Sequence, residues 1–302
     1  MTNTKYFWNW EKWRIAWILN SKDSSSKKNV LLIHGFGASK YHWRFNQTFL
    51  GNEFNCFSID LLGFGESSQP KAIITGDTNE EDGVHYSFDL WSKQIEDFTK
   101  EIIKGPVFLV GNSIGGVIAL KAAKELKELC NGLALINCAQ RQMDDKRLYD
   151  QPFYMKLTRP LLKSLVQKRW LSNQLFLKSA KPEIIRSILK KAYPTGNNID
   201  DELIDILYKP TKRVNAKEAF RGFINLFDDY LATELMKTNT IPTTLIWGEE
   251  DPWESLAEAK EWKNDFSCIQ ELYVIPKCGH CPHDENPKQV NKILKEIIQL
   301  TV

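Results

Sequence analysis

The chain has 302 residues, 42% hydrophobic and 26% charged, and 40 Lys and Arg against 38 Asp and Glu leave a net charge of +2. That length can bury a sizeable core without disulfides or a structural metal, and reads as two domains or as one large α/β domain with an insertion. A near-neutral chain is no electrostatic glove for nucleic acid; no apolar run approaches the roughly 20 residues of a membrane span; and Lys5, Glu11, Lys12 and Arg14 interrupt any N-terminal signal peptide.

The expectation is therefore a cytoplasmic, soluble protein whose six cysteines, at 56, 130, 138, 268, 278 and 281, are reduced. Near the start, Trp8, Trp10, Trp13 and Trp17 fit a β-hairpin packed on a sheet edge. They also fit an anchor at a membrane–water boundary, which indoles favour. Residues 24–28 form a short polar turn. Residues 30–34 (VLLIH) are a continuous apolar run, as in a strand buried on both faces, and end in Gly35-Phe36-Gly37. A second run over 54–60 leads into Leu61-Leu62-Gly63-Phe64-Gly65. Helical spacing of Leu90, Trp91, Ile95, Phe98 and Ile102 predicts a helix over 88–103. Strands at 106–110 and 133–136 flank a helix at 114–129. This alternation implies a parallel sheet with helices on both faces.

Over 140–235 the strand signal vanishes. Leu157, Leu161, Leu162, Leu165, Val166 and Trp170 fit one helical face; Ile184, Ile185, Ile188 and Leu189, then Leu203, Ile206 and Leu207, suggest two more helices. This stretch carries 18 Lys and Arg against 12 Asp and Glu, a net of +6 that leaves −4 for the remainder. We read it as a basic helical cap inserted between the core segments 1–139 and 236–302. Its charge fits solvated helix faces, or a lid that docks on an anionic membrane or an acidic substrate, the helix at 157–171 being the best candidate. Strand and helix signals then return at 244–247, 255–262 and 272–275. Pro287 opens a last helix through Leu300, at the position where its missing N–H is harmless.

The strongest chemical signal is Gly111-Asn112-Ser113-Ile114-Gly115-Gly116, directly after a strand and before a helix. A G-x-S-x-G there holds serine on a strained bend with its hydroxyl above the sheet, and the helix N-terminus favours negative charge. Serine needs a base, oriented in turn by a third group. Of five histidines, His280 lies in a loop just after a strand; His34 ends an internal strand, where structural hydrogen bonds are expected. The third member should be a carboxylate at a strand end between the two. Asp251 is chosen, with Glu249 and Glu250 as alternatives. The order Ser113, Asp251, His280 differs from those of the chymotrypsin and subtilisin folds. Backbone N–H groups of Phe36 and Ile114 would receive the oxyanion.

HGFG at 34–37, DLLGFGES at 60–67, GNSIGG at 111–116, WGEEDPW at 247–253 and GHCPHDENP at 279–287 resemble an α/β-hydrolase-fold serine hydrolase over nearly the whole chain. That resemblance implies a mostly parallel central sheet with helices on both faces and an inserted helical cap. GNSIGG and GHCPHDENP are more particularly similar to the pheophytinase and chlorophyll-dephytylase group. The implied activity is an esterase releasing a long isoprenoid alcohol from a chlorin, at the periphery of a photosynthetic membrane. GNS-x-GG also occurs in hydrolases that cleave carbon–carbon bonds of ring-fission products, so that reading stays open, as does a ligand receptor of low turnover. Epoxide hydrolases and haloalkane dehalogenases use aspartate at the elbow, where this chain has Ser113. Lys40 and Ser68 fill the third glycine positions of two would-be dinucleotide fingerprints, so no cofactor is expected. Cys278-Gly279-His280-Cys281 follows a late strand instead of opening a helix, which argues against redox chemistry. It has no second ligand pair at structural zinc spacing, so no metal is expected either.

Overall fold

The apolar runs become the inner strands of one sheet in the computed structural model, which describes residues 4–22, 27–77 and 83–301. The strands are β1 (Thr4–Trp10), β2 (Trp13–Asn20), β3 (Asn29–Ile33), β4 (Asn55–Ile59), β5 (Val107–Asn112), β6 (Cys130–Ile136), β7 (Thr243–Gly248) and β8 (Ile269–Ile275). Their order across the eight-stranded sheet is β1-β2-β4-β3-β5-β6-β7-β8. The hairpin β1–β2 and the pair β2–β4 are antiparallel; every other neighbour is parallel. A two-residue ribbon, Lys71–Ala72 with Gly83–Val84, lies apart. Of the polar turn read at 24–28, residues 24–26 lie outside the described residues.

The helices, in chain order, are α1 (Arg44–Leu50), α2 (Phe88–Phe98), α3 (Ile114–Leu126), α4 (Phe153–Gln167), α5 (Arg169–Ser179), α6 (Pro182–Ala192), α7 (Asp201–Tyr208), α8 (Ala216–Ile224), α9 (Ala232–Met236), α10 (Leu256–Asp265), α11 (Pro282–Glu285) and α12 (Pro287–Leu300). Alternate residues of each strand feed opposite faces. Leu31 and Ile33 of β3 join Trp91 of α2 and Ile118 of α3. Val30 and Leu32 join Leu50 of α1 and Leu294 of α12. After β3 the chain pairs β4 on one side and β5 on the other, and Ile33 sits opposite Gly111. The loops leaving β3 and β5 therefore emerge side by side where strand order reverses, the usual crevice of such sheets.

The tryptophan hairpin joins the sheet edge. Trp8, Trp10 and Trp17 are buried, and the indole N–H groups of Trp8 and Trp10 donate to Glu101 and Asp97 at 2.9 Å. Three of the four rings are so enclosed and cannot anchor a membrane, which favours the sheet-edge hairpin; Trp13 is half-buried. The helix expected over 88–103 ends its α-turns at Phe98 and finishes as a wider π-turn, Thr99–Ile103. Between β6 and β7, residues carry α4 to α9 and no strand among the described residues. The single helix expected over 157–171 breaks at Lys168, whose extended ψ of 113° separates α4 from α5. The leucine face of α4 also turns to solvent instead of the core. The loop between α6 and α7 is tied to the rest of the molecule: Arg44 of α1 pairs with both Asp200 and Asp284 at 2.8 Å, and the Asn198 amide donates to Asp284 O at 2.6 Å.

Candidate active site

Ser113 occupies the turn between β5 and α3 with φ 55° and ψ −123°. An L-residue in this region carries strain of order 1–3 kcal/mol, held only where surroundings over-determine it. Here they do. A Cβ at Gly111 would lie 2.2 Å from Gly115 O, and one at Gly115 would lie 2.4 Å from Ile33 O. Only glycine permits this approach of strand, turn and helix.

His280 lies between β8 and α11. Its backbone N–H donates to Ala192 O at 2.9 Å, and its carbonyl accepts from the Asn112 amide at 3.1 Å. Its Nδ1 lies 2.8 Å from Asp251 Oδ2. That oxygen also accepts from Asn137 Nδ2 at 2.6 Å, while Oδ1 accepts from the Trp253 N–H at 2.9 Å. A carboxylate on Nδ1 makes that nitrogen the donor and leaves Nε2 with the lone pair. Burial pushes the Asp251 carboxyl up, but the hydrogen bond and charge of His280, with the donors Trp253 N–H and Asn137, outweigh it and hold the group below the usual carboxylate range. Of the three carboxylates considered after β7, Asp251 is the one on the imidazole; Glu249 instead accepts from the Lys277 N–H at 3.3 Å, and Glu250 is exposed.

The loop after β3 abuts the serine: a Cβ on Gly35 would lie 3.1 Å from Ser113 Cβ. Neither the Phe36 nor the Ile114 N–H donates to a protein acceptor among the described residues. A buried ion pair holds this loop. Lys40 Nζ meets Asp60 Oδ2 at 2.7 Å with both side chains fully enclosed, and Asp60 also accepts from the N–H groups of Lys40 and Glu66. Loops after β3 and β4 are thereby locked together.

Ser113, His280, Phe36 and Asn112 line one cavity of about 520 Å³, in the size range of small-molecule sites. No hydrogen bond joins the Ser113 hydroxyl to the imidazole among the described residues. Most of the wall is apolar, with Phe64, Phe176, Phe220, Phe223, Ile188 and Leu189, so the insert supplies much of it. No Lys or Arg lines it among the described residues.

Several site residues escaped sequence reasoning. Asn137, with φ 43°, clamps β6 to β7 through Gly248 N–H at 3.0 Å and steadies Asp251; an Asn at a strand's carboxyl end is its only signal. Glu254 also lines the cavity, and burial pushes its carboxyl up to about 7, although the charge of His280 and a hydrogen bond from Gln140 N–H oppose the rise. His42 reaches the cavity as well. The Tyr193 hydroxyl donates to Asp284 at 3.1 Å, so His42 Nε2 donates to Tyr193 at 2.9 Å, and burial lowers this imidazole to about 4. His34 has the expected structural role, Nδ1 facing Gly35 O at 2.7 Å and Nε2 accepting from Leu61 N–H at 3.1 Å. The cysteines are unpaired and buried, and burial pushes the Cys278 thiol up to about 12 and Cys281 well above its ordinary value. That is the reverse of an activated redox pair.

Comparison with known proteins agrees with this architecture. The chain is 27% identical to the chloroplastic pheophytinase of Arabidopsis thaliana over 90% of its own length and 61% of that protein's, so it spans less than two thirds of that relative. It is 24% identical to a 2-hydroxy-6-oxo-6-(2'-aminophenyl)hexa-2,4-dienoic acid hydrolase of Metapseudomonas resinovorans over 86% of this chain and 80% of the other. A crystal structure of a serine hydrolase of carbazole degradation, the CarC enzyme, superposes with a TM-score of 0.75 at 19% identity, covering 99% of this chain and 100% of that one. The family model described as the alpha/beta hydrolase fold matches residues 28–287. The chain belongs to the alpha/beta hydrolase fold family.

Proposed function

We propose that the chain is a serine hydrolase of bulky apolar carboxylic esters, acting through an acyl-enzyme. The observation that carries the reading is a serine on a strained elbow, facing the same apolar cavity as a histidine whose Nδ1 a buried carboxylate holds at 2.8 Å. In this reaction Ser113 Oγ attacks the acyl carbon as His280 Nε2 takes its proton. The tetrahedral oxyanion lies against the N–H groups of Phe36 and Ile114, each such donor contributing about 3–4 kcal/mol in the transition state. Collapse breaks the C–O bond, and the leaving alcohol takes the proton from Nε2. Water, deprotonated by Nε2, then attacks the acyl carbon; the acid leaves and the serine regains its proton. Asp251 keeps the productive tautomer and offsets the imidazolium charge. Hydrogen bonds of this kind commonly tighten only when substrate is bound.

The pheophytinase-like segments and the phenylalanine-rich wall favour an ester with a long isoprenoid alcohol, such as a phytyl ester of a chlorin. A carbon–carbon hydrolase would need polar or basic groups to hold a dienoate carboxylate; the cavity wall offers no Lys or Arg among the described residues, and the insert's polar lining is confined to groups such as Ser179 and Thr211. The test is steady-state hydrolysis of p-nitrophenyl esters of rising chain length, with pheophytin, chlorophyll and a model dienoate in parallel. The reading expects activity on apolar esters that is lost in Ser113→Ala. An unchanged rate in that variant overturns it; turnover of the dienoate alone favours the carbon–carbon reading; binding without turnover favours a receptor.

A further inference from the structure

A helix on a globular surface normally turns its apolar stripe inward and its charges outward. α4 does the opposite. Phe153, Tyr154, Leu157 and Leu161 are 74%, 64%, 67% and 64% exposed. The opposite side of the helix carries the cations that hold it down. Arg159, only 5% exposed, pairs with Asp145 at 3.1 Å; Lys163 pairs with the same carboxylate; both stand over the Phe227 ring at 4.9 and 5.0 Å. The apolar surface continues onto α5, where Trp170 is 64% exposed. Apolar ground this continuous marks an interaction site more often than a bare surface.

Charge identifies the occupant. From residue 151 to 182 the chain has seven Lys and Arg and no Asp or Glu, and Lys156, Lys168, Lys178 and Lys181 are exposed around the apolar face. A second copy of the chain seated face to face on this surface would set cations against cations. An anionic lipid surface complements both features, since acyl chains accept the leucines and the headgroups accept the lysines. Tyr154 and Trp170 are residue types that settle at that boundary.

We propose that α4 and the start of α5 form a docking face for an anionic lipid bilayer. Phe176 and Ser179 of α5 line the cavity, as does Ala180 just beyond its end, so the lipid-facing surface and the wall of the candidate site share one helix. An apolar ligand drawn from the bilayer then reaches Ser113 without crossing bulk water. Docking itself does not depend on the hydrolase reading.

The experiment is sedimentation of the full chain with vesicles of phosphatidylcholine alone or with phosphatidylserine at about a third of the lipid. The wild type is expected to partition at least tenfold better onto the anionic vesicles, with the preference shrinking as salt is raised. The double variant Leu157→Glu, Leu161→Glu should lose that binding while keeping its circular dichroism and its rate on a water-soluble short-chain ester. Triple replacement of Lys156, Lys168 and Lys178 by Gln should abolish the anionic preference. No binding to either vesicle overturns the proposal, and so does equal binding to both. A wild-type dimer in analytical ultracentrifugation that the leucine variant dissociates overturns it in favour of self-association.

Discussion

Replacing Asp251 by asparagine is the most informative single substitution, because the geometry leaves the amide no good orientation. In the wild type, Oδ2 accepts from both His280 Nδ1 and Asn137 Nδ2, and Oδ1 accepts from the Trp253 N–H. All three partners are donors. If the new amide oxygen takes the Oδ2 position, the NH2 group faces the Trp253 N–H and two donors oppose each other. An unmet buried donor costs about 1–3 kcal/mol, and the charge that offsets the imidazolium is gone. If the amide flips, its NH2 faces Nδ1 and the Asn137 amide. The imidazole must then accept at Nδ1, so its proton moves to Nε2 and the ring cannot deprotonate Ser113. With the amide flipped, kcat for ester hydrolysis should fall roughly 10⁴-fold, about 5.5 kcal/mol of transition-state stabilisation, and with it unflipped the lost charge still lowers kcat. KM should change little, since Asp251 does not line the cavity. Steady-state kinetics with a thermal melt as folding control reads both. A folded Asp251→Asn protein retaining more than a tenth of wild-type kcat would refute the reasoning.

Two further expectations follow from buried charge. Glu254 holds its proton to about 7 in the folded protein against an ordinary 4.5, so the stabilisation it gives is complete below pH 4.5 and is lost as pH rises through 7. Relative to Glu254→Gln, which does not titrate, the wild type should therefore lose up to about 3 kcal/mol of unfolding free energy between pH 4.5 and 8 in urea titrations; a flat difference would contradict the assignment. Lys40→Met leaves the fully enclosed Asp60 carboxylate without its cation. It should lower stability by about 3–5 kcal/mol, with Asp60→Asn combined with it recovering part of the loss.

Much of this protein was legible in its sequence because local signals and tertiary demands coincide there. The inner strands are continuous apolar runs because both faces are covered, and the elbow reads clearly because Gly111 and Gly115 are dictated by contacts under 2.5 Å. The placement of His280 and Asp251 followed from strand ends in a known chain order. What stayed hidden depends on partners distant in sequence. Periodicity shows that 157–170 has an apolar face, but cannot say whether that face meets the core or the solvent. The ion pairs of Arg159 and Lys163 with Asp145 decide it. The break at Lys168 has no Gly or Pro to announce it. Nothing in the sequence pairs Lys40 with Asp60 until the two loops are seen packed together, and Glu254 sits one residue beyond the segment that drew attention.

The central claim is that Ser113 is the nucleophile and His280 its base. Treatment with a fluorophosphonate probe, followed by mapping of the modified peptide, tests it most directly. The account predicts one adduct, on the peptide containing Ser113, with labelling at least a hundredfold slower in His280→Ala; each catalytic pair member is typically worth that much or more. An adduct on any other peptide, or labelling as fast without His280 as with it, would contradict the account.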